Sequence, residues 1–113
     1  IMEGSMVVVS TPSHEYDYHV LNRILEKKIN LKYFGMLCSP HKLDSYMETT
    51  YETHGKDLDL SKFYAPIGLD LGGNTPEDIA ISIASEMLAI SNGRKEISHM
   101  RESRHGKYRY WQD

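Results

Sequence analysis

Short apolar runs alternate with longer stretches of helical spacing three times along this chain. Met6-Val7-Val8-Val9-Ser10 is continuous and β-branched, and it reads as a strand buried on both faces, the parallel-sheet type. Thr11-Pro12 ends it. Val20, Leu21, Ile24 and Leu25 then recur at helical intervals, with Glu26, Lys27 and Lys28 closing the helix. Lys32 to Leu37 is a second strand. Leu43, Tyr46, Met47, Thr50 and Tyr51 form a second amphipathic stripe that Gly55 stops. Asp57 to Ser61 reads as a polar connection, and Phe63-Tyr64-Ala65 as a short third strand ending at Pro66. The third helix runs from about Thr75 to Asn92, with Gly93 past its end. It is apolar almost all round, interrupted only by Ser82, Ser85, Glu86 and Ser91, so it is expected to be covered on more than one side.

A strand–helix unit repeated three times predicts an α/β fold of parallel strands joined by right-handed crossovers, with helices on the faces of the sheet. Each strand-to-helix turn carries a capping residue followed by proline: Thr11-Pro12, Ser39-Pro40 and Thr75-Pro76. The three helix starts are therefore expected at the carboxyl edge of the sheet, where open α/β folds bind ligands. A sheet of three strands is narrow. The Val7-Val8-Val9 strand is too apolar for a comfortable edge, so something is expected to pair with it, either further chain of the same domain or a second copy.

Length and composition narrow the picture only a little. With 113 residues, 40% hydrophobic and 26% charged, the chain suits one small globular domain, placed at 6–93. Net charge is -3, which gives no nucleic-acid signal. The tail, 94–113, is basic and carries Tyr108, Tyr110 and Trp111 among Arg104, Lys107 and Arg109. It reads as a solvated extension or as a contact for an acidic partner surface. Cys38 is the only cysteine, which rules out an intrachain disulfide and suits the cytoplasm. No run approaches a membrane span, and no signal peptide is visible. The chain opens on Ile1 rather than Met, a start that fits a piece of a longer protein as well as a complete one.

Candidate chemistry clusters at the three turns. His14 and Asp17 follow the first strand; they could meet a ligand's polar edge or simply be helix-start chemistry. Thr11 belongs to the same turn. Ser39, His41 and Lys42 open the second helix, where an anion would find backbone N–H groups and a lysine charge. Cys38 lies beside that helix start, where a thiolate would be stabilised; the alternative is a small buried apolar residue. Asp70, Gly72 and Gly73 are the strongest candidates. Glycines admit positive φ and close approach of a ligand, and Asp70 is a lone carboxylate in an apolar stretch that could instead pin its own turn. No catalytic triad, Cys-His pair, metal-ligand spacing or G-x-G-x-x-G occurs.

Three blocks in register resemble the XdhC/CoxI family, the accessory factors of molybdenum hydroxylases. Val7 to Asp17 is similar to that family's strand and "TH-HE-D" turn. Tyr33 to Lys42 is similar to "YVGLIGSRRK", and Pro66 to Ala80 to "PIGLD-G--TPEEIA". The resemblance runs from about Val7 to Gly93. It implies a three-layer, Rossmann-like domain, of which this chain matches the second half. It also implies a maturation factor that binds molybdenum cofactor (molybdopterin) and delivers it to a xanthine dehydrogenase-type client. The glycine-rich segment of the family lies outside these blocks, so NAD(P) binding would depend on it. Pro12 stands for the first histidine of the turn, Cys38 for a glycine and His41 for an arginine. A nucleotide-binding oxidoreductase domain and a plain oligomerisation module are the alternative readings.

Overall fold

The computed structural model describes residues 3–10 and 14–100. Its order is β1 (Met6–Val9), α1 (His14–Lys27), β2 (Tyr33–Met36), α2 (Pro40–His54), β3 (Phe63–Tyr64) and α3 (Pro76–Ser91). The strands form one parallel sheet in the order β1-β2-β3, with Val8 opposite Gly35 and Gly35 opposite Tyr64. Thr11 and the tail from 101 onward lie outside the described residues.

Alternation along the strands sorts the side chains into two layers. Val9, Phe34 and Met36 face Leu21 and Ile24 of α1, with Val7, Phe63 and Ala65 packed around them. α2 lies beside α1, where the Tyr18 and Tyr46 rings approach to 5.9 Å and His54 Nε2 meets Asn22 Oδ1 at 2.7 Å. Tyr33, Gly35 and Tyr64 face the other way, toward α3. The rings of Tyr33 and Tyr64 stack at 4.9 Å, and Ile67 fills the space that a Cβ on Gly35 would take. Helices on both faces of a parallel sheet make the three-layer α/β, Rossmann-like arrangement that the sequence predicts.

α3 runs back along the sheet from the carboxyl edge to the amino edge. Leu69 N–H donates to Ser82 O near the first edge, and Lys32 Nζ donates to Ser91 O at the second. Its first turn therefore projects past the sheet, about 15 Å from Glu86 at 1.5 Å per residue. The starts of α1 and α2 follow their strands directly, so only these two lie at the carboxyl edge itself. No helix among the described residues is long and apolar enough to cross a membrane.

Three expectations need correction. Among the described residues β1 is covered on one face only: Val9 is buried, but Val8 is 42% exposed, because α3 lies over β2 and leaves the β1 side of that face open. Burial on both faces holds for β2 instead. α3 is not enclosed among the described residues: Ile81 and Leu88 stand 59% and 65% exposed. The 57–61 connection is not uniformly polar, since Leu58 and Leu60 are half-buried and turn in toward Leu21 and Phe63 around one groove.

Candidate functional site

The carboxyl edge begins with Asp17, in the first turn of α1. It is wholly buried, so it forms the floor of the edge rather than a group on its surface. Its nearest chemical consequence is at Cys38, just past β2. Burial pushes the Cys38 thiol up from its ordinary pKa, and the Asp17 charge pushes it further the same way. The stabilised thiolate expected from the sequence is thus overturned: burial first, and then the Asp17 carboxylate, favour the neutral thiol. Cys38 is half-buried and packs against the apolar core.

α2 starts immediately after. Ser39 is its N-cap and accepts from Lys42 N–H through Oγ, while Leu43 N–H makes the first helical bond to Ser39 O. Pro40 has no N–H. Of the first three helical positions, only His41 therefore keeps a backbone donor for a ligand. The His41 and Lys42 side chains are both exposed beside it. This end of the edge can take one anionic group, held by one N–H and a lysine charge. His14 opens α1 in the neighbouring turn.

The third turn is built differently. Ile67 N–H donates to Met36 O, so the segment leaves the sheet at its carboxyl edge and then follows α3 outward. Asp70, Leu71, Gly72 and Gly73 are exposed along it. Gly72 has φ +88°, a conformation that only glycine takes easily, whereas Gly73 is needed because a Cβ there would strike the Asp78 carboxylate. Thr75 and Asp78 form a capping box: Thr75 Oγ1 accepts from Asp78 N–H, and Thr75 N–H donates to Asp78 Oδ2. Pro76 has no N–H, and Glu77 adds a second negative charge. The donors of this helix start are thus largely taken up by its own residues. Asp78, not Asp70, pins the turn; Asp70 accepts no hydrogen bond from any described residue.

One cluster escaped the sequence. Glu86, buried on the inner face of α3, accepts from Tyr33 Oη at 2.6 Å and from Gly68 N–H at 3.0 Å through the same oxygen, Oε1. Burial first, then this hydrogen bond and the Glu86 charge, drive the Tyr33 phenol far above its ordinary range. The cluster ties α3 to β2 and to the strand-exit segment. A glutamate in an apolar helix was the available signal.

A groove of about 380 Å³ opens at the opposite, amino edge, between the end of α1 and the 57–62 connection. Half of its lining is Leu and Ile, and none of the candidate residues lines it. No group of three or more His, Cys, Asp or Glu among the described residues could hold a metal ion.

The family model for the XdhC Rossmann domain matches residues 2–87. A probable xanthine dehydrogenase subunit of Bacillus subtilis (strain 168) is 30% identical over 81 residues, 72% of this chain and 22% of that protein. The Escherichia coli K12 protein YqeB, uncharacterised by its name, is 27% identical over 92 residues, 81% of this chain and 16% of that one. The crystal structure of a xanthine dehydrogenase from Bacillus halodurans matches with a TM-score of 0.67 and 27% identity, over 89% of this chain and 27% of that one. The chain thus spans less than a third of each of these three proteins.

Proposed function

The chain belongs to the XdhC Rossmann-domain family, and from that premise we propose that it serves as an accessory factor for a molybdenum hydroxylase of the xanthine dehydrogenase type. In this reading the molybdenum cofactor is cargo, received at the carboxyl edge and handed to the apo-enzyme. The observation that carries the site is the start of α2. Its His41 N–H is left open, and the exposed Lys42 and His41 side chains flank it, which suits the phosphate end of the pterin. The exposed loop at Asp70, Gly72 and Gly73 would frame the rest of the cargo. The names of the matched proteins from Bacillus subtilis and Bacillus halodurans support the client class.

The chain's own part is binding and orientation. Lys42 supplies a point charge and the helix start supplies a directed N–H, while burial and Asp17 favour the neutral Cys38 thiol. The test is anaerobic binding of isolated molybdopterin, followed by its fluorescence, with inorganic phosphate and NAD as competitors. His41→Ala/Lys42→Ala is expected to weaken binding roughly tenfold or more, since charge-assisted contacts are about 1.5–3 kcal/mol each. Phosphate should compete and NAD should not. Tight binding unaffected by the double variant would remove the α2 site, and no binding at all would remove the cargo reading.

A further inference from the structure

We infer that the exposed face of α3 is an interface with a second copy of this chain, the two α3 helices packing antiparallel about Ala84. The helix carries two distinct faces. One holds Glu86 and Ser82 toward β2 and Gly68. The other presents Ile81, Ala84 and Leu88 at spacings of three and four residues, all exposed. Such a stripe on a soluble domain marks a contact surface.

Three features of the stripe select a second copy. It is self-complementary: Ala84 is the small residue at the centre, and rotation about it sets Ile81 of one copy against Leu88 of the other, as an isologous contact requires. Its ends are complementary in charge. Glu77 and Asp78 stand at the start of α3, and exposed Arg94 and Lys95 just past its end, so antiparallel pairing brings acidic and basic ends together twice. The helix dipoles then also oppose each other. The open strip of sheet beside the helix, with Val8 at its centre, lies on the same face and leaves room for the second copy.

Sedimentation equilibrium of the intact chain, from low to high micromolar concentration, tests this. The expected species has twice the 13.0 kDa mass of one chain. Ala84→Glu should yield a monomer with unchanged far-UV circular dichroism, because position 84 is exposed in the single chain. Arg94→Glu and Glu77→Arg should each weaken the dimer several-fold, more at low salt than at high, and the two together should restore it. A monomer across the whole range, a dimer that survives Ala84→Glu, or a charge-reversed pair that fails to restore association overturns the proposal.

Discussion

Glu86 and Asp17 are both buried acids, yet they act differently. Glu86 serves two donors through Oε1, so Glu86→Ala would leave the buried Tyr33 hydroxyl and the half-buried Gly68 N–H without it. The expected loss is on the order of 2–3 kcal/mol of unfolding free energy, read from denaturant melts. Tyr33 adds a pH dependence. Its folded pKa lies above the unfolded value near 10, so the unfolded chain loses that proton first. Stability from this group is complete below about pH 10 and falls as pH rises beyond it. Tyr33→Phe should flatten that alkaline slope while lowering stability at neutral pH. At Cys38 the prediction is kinetic. Iodoacetamide should react slowly at neutral pH, and Asp17→Asn should speed it by removing the charge that disfavours thiolate. None of these pairings was legible along the chain. Glu86 reads only as a break in an apolar helix, because its partner Tyr33 lies 53 positions away.

Local elements were far more legible, because caps and breakers act over a few residues. Ser39-Pro40 and Thr75-Pro76 start α2 and α3 where the sequence puts them, and Gly55 ends α2. What the sequence could not distinguish was two glycines with different work to do. Gly72 has φ +88° and open space around it, whereas Gly68 has φ +100° and a Cβ there would strike Ser82 Oγ. Gly72→Ala should therefore cost about 1 kcal/mol, from the backbone alone. Gly68→Ala should cost more, because the Ser82 hydroxyl must also turn away from the new methyl group. Thr75→Ala, which opens the capping box, should cost about 1 kcal/mol. Paired thermal melts of the three variants give the order directly, and a Gly72 variant as damaged as the Gly68 variant would mean that the exposed loop is itself packed.

At the scale of the molecule, the parallel α/β plan follows from the repeated strand–helix pattern, and the uneven coverage of the sheet does not. A run such as Val7-Val8-Val9 is equally apolar whether one face or both are covered, so only the position of α3 shows that Val8 is left open. That unevenness predicts unequal local stability. β2 is buried at every residue and paired on both sides, and α1 packs on it through Leu21 and Ile24. Polar ties hold α3 to the sheet side through Glu86, the Leu69–Ser82 bond and the Lys32–Ser91 bond, with its other face exposed. Local opening follows such differences in buried contact. In native-state hydrogen exchange at low micromolar protein, β2 and α1 amides should be the last to exchange and those of α3 earlier. Raising the protein concentration should slow exchange in α3 selectively, since the inferred pairing covers that helix and leaves the opposite layer untouched. Uniform protection at every concentration would mean that α3 unfolds only with the whole domain, and that its polar anchor to Tyr33 is as strong as the apolar layer across the sheet.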